Sequence, residues 1–130
     1  MSRQKILLID DEEDFCYFAK LNLEKTGNYT VFTATGGREG IALAGQHKPD
    51  LIVLDVMMPR MDGGQVAQAL LEDEATRAIP IVFLTAVIRE EEVSKSGGRI
   101  GGRHFIAKPI TPEKLVESIE YYLSLHKGAE

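Results

Sequence analysis

Five short apolar runs, each followed by a longer stretch with helical spacing, constrain this chain more than any other feature. The runs cover residues 5–9, Tyr29–Ala34, 51–54, 81–84 and 104–107. Strands that alternate with helices build βα units around a parallel sheet. The third run, Leu51-Ile52-Val53-Leu54, is wholly apolar, as expected of a central strand covered on both faces. At 130 residues the chain fits a single α/β domain, residues 1–130, and can bury one sizeable core.

The intervening stretches carry helix signals. Phe15, Phe18, Ala19 and Leu23 recur at helical spacing, and Gly27 stops that helix. A second helix is predicted over Gly37–His47, with Ile41, Ala42 and Ala44 inside and Pro49 closing it. A third runs over about residues 64–73, with Val66, Ala69 and Leu70 facing inward. Thr111 as N-cap and Pro112 at the first helical position start the last helix, whose apolar stripe is Leu115, Ile119, Tyr122 and Leu123. Between Thr85 and the fifth run, four glycines fall within the six residues GGRIGG. Each glycine in a helix interior costs about 1 kcal/mol relative to alanine. A short or frayed fourth helix and a mobile loop are therefore expected there.

Composition narrows the function classes. Apolar residues make up 44% and charged residues 27%, which is ordinary for a globular chain. A net charge of −5 argues against a nucleic-acid-binding surface on this domain. The longest apolar run is far short of the ~20 residues that span a bilayer. The start, MSRQKILLIDDEEDF, lacks the pattern of a signal peptide. Cys16 is the only cysteine, so no intrachain disulfide can form, and a reducing cytoplasmic setting fits. Its pattern is that of a buried or half-buried helix residue.

The chemistry lies at the carboxyl end of each run. The first ends in Asp10-Asp11, the third in Asp55, the fourth in Thr85 and the fifth in Lys108-Pro109. Ligand sites of open α/β sheets lie just beyond the carboxyl ends of the strands. Polar residues often mark strand ends, but four such ends together put carboxylates, a hydroxyl and an ammonium on one rim. Converging carboxylates must raise a pKa or recruit a cation. A hard divalent ion such as Mg²⁺, held by carboxylates, waters and a phosphate oxygen, solves that problem. Asp55, alone at the end of a central strand, is the best nucleophile, since a carboxylate can attack phosphorus to give an acyl phosphate. Lys108 can act as a point charge on a phosphate oxygen, and Thr85 can donate its hydroxyl to another.

The segments IDDEE, LDVMMPRMDG, FLTA and FIAKP resemble, in order and at nearly the same intervals, the motifs of response-regulator receiver domains. The resemblance covers about residues 5–123 and implies a flavodoxin-like (βα)5 doubly wound sandwich with strand order 2-1-3-4-5. It also implies that Asp55 is the phosphoacceptor, fed by a sensor histidine kinase or a phosphotransfer protein. Asp11 would be a direct Mg²⁺ ligand, Asp10 a water-mediated one, and the backbone carbonyl of Met57 would complete the set, with Mn²⁺ able to substitute. Thr85 and Phe105 would be the switch pair that signals to a downstream effector, and Lys108 would contact the phosphoryl oxygen. Pro109 would follow a cis bond, and Pro59, Asp62 and Gly63 would shape the loop and start the third helix.

The chain also departs from the family pattern. The glycine-rich stretch carries about one extra residue, on the side that receivers use for output, so either a monomer or a phosphorylation-dependent dimer is compatible with the sequence. Met57 and Val87 would flank the phosphoryl group, and neither can orient an attacking water, which predicts slow self-dephosphorylation. Asp62 reads as a helix cap, and Met57, Met58 and Met61 as loop packing. Glu12, Glu13 and Asp14 read as a solvated first turn, with Glu12 nearest the acidic pocket and contact with metal-bound water its alternative. His47, His104 and His126 have no metal-ligand spacing. The alternatives are an aspartate-nucleophile phosphatase, which typically has an acid where Met57 stands, and a pseudo-receiver interaction domain. A nucleotide-binding module would need a G-x-G-x-x-G turn after the first strand, and none is there.

Overall fold

The computed structural model describes residues 3–86, 99–100, 103–108 and 110–127. The elements run β1 (Gln4–Ile9), α1 (Glu13–Lys25), β2 (Tyr29–Ala34), α2 (Gly37–His47), β3 (Leu51–Asp55), α3 (Gly63–Glu72), β4 (Ile81–Thr85), β5 (Arg99–Ile100), β6 (Arg103–Ala107) and α4 (Pro112–Lys127). The expected fourth helix, Val87 and Pro109 lie outside the described residues.

One sheet carries the strands in the order β2-β1-β3-β4-β6-β5. The first five in that order pair in parallel, which is the expected 2-1-3-4-5 topology. The two-residue β5 was not expected. It pairs antiparallel with β6, Arg99 with His104 and Ile100 with Arg103. Two residues are too few to leave a periodic signal.

Because strand side chains alternate, the parallel register sorts residues into two faces. Ile6, Leu8, Leu51, Val53, Val82, Leu84 and Ile106 point to one side, where Ala19 and Leu23 of α1 and Leu115 and Ile119 of α4 cover them. Leu7, Ile9, Ile52, Leu54 and Phe83 point to the other, against Ala44 of α2 and Val66, Ala67 and Leu70 of α3. Fully burying one such aliphatic side chain contributes about 1.5–3 kcal/mol. With Leu51 through Leu54 wholly buried, β3 anchors both halves of the core.

Three helix faces differ from expectation. In α1 the buried stripe is Cys16, Ala19 and Leu23, while Phe18 is 53% exposed. Phe18 precedes Ala19, and one residue of α-helix turns about 100°, carrying the ring off the stripe. In α2 the buried positions are Gly37, Gly40 and Ala44, with Ala42 exposed and Ile41 and Leu43 half-buried. In α3 Ala67 is buried and Ala69 only partly so. The last helix starts as expected, the Lys114 amide donating to Thr111 Oγ1 at 3.2 Å, and its stripe of Leu115, Ile119, Tyr122 and Leu123 is buried.

The loop after β3 is tightly fixed. Asp62 caps α3 through a capping box with Gln65, the two amide–side-chain bonds measuring 2.9 and 3.0 Å. The Gly63 amide donates to the Val56 carbonyl at 3.0 Å. A Cβ at Gly63 would stand 2.6 Å from the Asp55 carbonyl oxygen and 2.8 Å from Val56 Cα, so only glycine allows this approach.

Candidate functional site

Strand alternation explains why the charged groups meet. Asp10 continues the parity of Ile6 and Leu8, Asp55 that of Leu51 and Val53, and Lys108 that of His104 and Ile106. All three therefore emerge on the α1/α4 side of the sheet, at the ends of β1, β3 and β6, with β4 between the last two. Carboxylate oxygens of Asp10, Asp11 and Asp55 lie within 4.8 Å of one another. Asp10 and Asp55 are buried and Asp11 is exposed, so the cluster has one open side.

Each group is held by specific partners. Asp10 Oδ1 accepts from the Glu12 amide at 2.9 Å, and Asp55 Oδ1 accepts from the Met57 amide at 3.2 Å. Lys108 Nζ sits 2.7 Å from Asp10 Oδ2, 2.7 Å from Glu12 Oε1 and 3.6 Å from Asp55 Oδ2. The Phe15 ring centroid is 5.1 Å from the same ammonium. Thr85 is buried at the end of β4, and its carbonyl accepts from the Lys108 amide at 2.9 Å, tying the ends of β4 and β6 together.

Phe105 lies on the opposite parity. Its register partner is Phe83, and the two rings stack with centroids 5.3 Å apart. Thr85 shares that parity, one register pair nearer the rim, where it faces Ala107. The Phe105 carbonyl accepts from the Tyr122 hydroxyl at 3.4 Å.

Burial pushes the Asp55 carboxyl up to about 6, and the Asp10 charge adds to this, while Lys108 and the Met57 amide pull the other way. Burial works against the Lys108 charge, yet hydrogen bonds to Asp10 and Glu12 hold it above the ordinary lysine range. Among the described residues Lys108 faces Asp10, Glu12 and Asp55, with Asp11 beside the two aspartates, an excess of negative charge in a partly buried pocket. An all-oxygen donor set with that excess fits a hard divalent cation.

Cys16 is buried beneath the site, and its thiol donates to the Asp10 carbonyl at 3.3 Å. Burial, with Asp10 next, raises the thiol to about 12, which keeps it protonated and inert. Met58 is buried and Met61 half-buried, as loop packing requires, but the Met57 side chain is 62% exposed beside the pocket.

The Lys108 partner of Glu12 is what sequence reasoning missed. Expected in a solvated first turn, nearest the acidic pocket and with metal-bound water as its alternative contact, Glu12 instead closes an ion pair with a lysine 96 residues away. A helix first turn directly after a strand-end acid pair was the one available signal.

The chain matches the response regulator receiver domain over residues 6–120. It belongs to that family, the receiver domains of two-component signal transduction, whose general role is to accept a phosphoryl group. It is 36% identical to protein PilH of Pseudomonas aeruginosa over 121 residues, covering 92% of this chain and 98% of PilH. It is 41% identical to the alkaline phosphatase synthesis transcriptional regulatory protein PhoP of Bacillus subtilis, covering 86% of this chain but only 45% of PhoP. Among solved structures, chemotaxis protein CheY4 of Vibrio cholerae superimposes with a TM-score of 0.77 at 30% identity, covering 92% of this chain and 98% of CheY4. PhoP is named as a transcriptional regulatory protein and CheY4 as a chemotaxis protein. No helix among the described residues is long and apolar enough to cross a membrane.

Proposed function

We propose that residues 1–130 form one receiver domain that takes a phosphoryl group on Asp55 from a sensor histidine kinase or a phosphotransfer protein. One observation carries this reading: Asp55 is buried at the end of the central strand, with one oxygen facing Lys108 at 3.6 Å inside a carboxylate trio. An Asp55 oxygen forms the new O–P bond as the P–N bond to the donor histidine breaks, its electron pair staying on the imidazole nitrogen. Asp10, Asp11, Asp55 and the Met57 carbonyl would hold Mg²⁺, or Mn²⁺ in its place. When bound, the cation neutralises the charge gathering between the Asp55 carboxylate and the phosphoryl oxygens. Lys108 places a point charge on a phosphoryl oxygen and the Thr85 hydroxyl donates to another.

In this reading Thr85 and Phe105 form the switch. They share a sheet face, so a hydroxyl drawn toward the phosphoryl group frees space that the Phe105 ring can enter. The ring has no hydroxyl and needs no polar partner when buried. The changed face then meets a downstream effector, as a monomer or a phosphorylation-dependent dimer. The chain catalyses only its own phosphotransfer and slow dephosphorylation, because the Met57 side chain beside the pocket cannot orient water. The setting is the cytoplasm, with no membrane or nucleic-acid contact made by this domain.

The test is intact mass after incubation with phosphoramidate and Mg²⁺, for wild type and Asp55→Asn. The expected outcome is a gain of one phosphoryl mass that needs Mg²⁺ and is absent from the variant, persisting for well over a few seconds after donor removal. No adduct would favour the pseudo-receiver, and continuous consumption of donor the phosphatase.

A further inference from the structure

Lys108 has a choice of partners, and one of them stands outside the phosphoryl chemistry. An ammonium has three N–H donors. In this structure one donates to Glu12 at 2.7 Å, and the ammonium also lies 2.7 Å from Asp10 Oδ2 as an ion pair, leaving Asp55 at 3.6 Å, beyond hydrogen-bond length. The two partners differ in kind. Asp10 is fully buried and fixed by the Glu12 amide on its other oxygen. The Glu12 side chain is 64% exposed, although its backbone is pinned by that bond and by the Cys16 amide, which donates to the Glu12 carbonyl at 3.1 Å. The Glu12 carboxylate can therefore swing into solvent without moving any backbone, whereas Asp10 cannot.

We propose that Glu12 is a positioning residue that competes with the phosphoryl group for Lys108, holding the ammonium at the mouth of the pocket until a phosphoryl oxygen takes it. The role rests on the reading of Asp55 as phosphoacceptor. Glu12 thus sets how readily the domain loads, without touching substrate. An exposed ion pair contributes little to stability, so its loss shifts binding by a modest factor, about two- to five-fold.

The experiment titrates fluoroberyllate, a phosphoryl mimic, into the full chain in saturating Mg²⁺ by calorimetry. It also times adduct formation from phosphoramidate, whose P–N bond breaks with ammonia leaving. Four chains are compared: wild type, Glu12→Gln, Glu12→Asp and Glu13→Gln. Contact competition predicts that Glu12→Gln and the shorter Glu12→Asp both bind fluoroberyllate about two- to five-fold more tightly and load faster. Glu13→Gln, which removes the same charge one residue further along the first turn, should match wild type. Equal gains in Glu12→Gln and Glu13→Gln, with Glu12→Asp like wild type, would reduce Glu12 to general charge and overturn the proposal. So would unchanged or weaker binding in both Glu12 variants. A wild-type chain that takes neither fluoroberyllate nor phosphoryl mass would instead defeat the Asp55 reading, and this role with it.

Discussion

The two faces of the sheet bury similar aliphatic cores yet end differently at the rim. On the α1/α4 side the strand parity runs out in Asp10, Asp55 and Lys108, a charged cluster in a partly buried pocket. On the α2/α3 side β4 finishes in Thr85, above the stacked Phe83 and Phe105 of β4 and β6. One face ends in a cluster of charges, and the other in a hydroxyl above aromatic rings. The β4–β6 pairing joins them, since the Lys108 amide donates to the Thr85 carbonyl. In a parallel sheet a one-residue step along the chain is enough to move a group from one face to the other.

The largest effect should separate the faces outright. Lys108→Ala should slow adduct formation from phosphoramidate by about 10²–10³-fold, the usual cost of removing a preorganised charge partner. Phe105→Ala should leave that rate within about twofold, as a half-buried ring removed from the responding face. A time course of intact mass on both variants decides it, and equal losses would erase the division.

Next comes pH. The folded Asp55 carboxyl sits at about 6, above the ~3.9 of an unfolded aspartate. The folded state thus binds the proton more readily, and this group's contribution to stability rises as pH falls from about 6 to about 4. Asp55→Asn removes the effect, so the variant should exceed metal-free wild type at pH 7 by on the order of 2 kcal/mol and lose that advantage near pH 4. Urea titrations across that range would show it, and saturating Mg²⁺ should remove most of the pH dependence.

On the other face, Phe105→Ala should cost about 1–2 kcal/mol of unfolding free energy, since the ring is half-buried and not fully enclosed. The smallest change belongs to α1. Phe18→Ala should stay within about 0.5 kcal/mol, because its ring lies mostly in water. A larger loss in thermal or urea unfolding would mean that the exposed ring packs in solution.

The strands and the rim residues were legible because both are written locally: apolar runs of strand length, each with a polar stop. Asp10, Asp55 and Lys108 could be named from those stops, and Asp62 and Thr111 from cap chemistry. Side-chain direction on helices was less legible. Phe18 follows helical spacing but falls one position off the stripe that Cys16 and Ala19 occupy. Ala67 and Ala69 of α3 are equally apolar, so only packing distinguishes them. The place of Glu12 beside the acid pair was legible, but its bond to Lys108 was not, since it joins residues 96 apart in the chain and depends on the completed sheet. Strand β5 was hidden for the opposite reason, being too short for any period.

The separation of the site residues along the chain has a practical consequence. Asp10, Asp55 and Lys108 come from three strands and become neighbours only when β1, β3 and β6 have all docked in register. No local fragment holds the pocket together. If Asp55 takes the phosphoryl group, the added mass becomes a count of molecules that have finished folding. A brief pulse of donor during refolding would then tag finished chains and leave unfinished ones unlabelled.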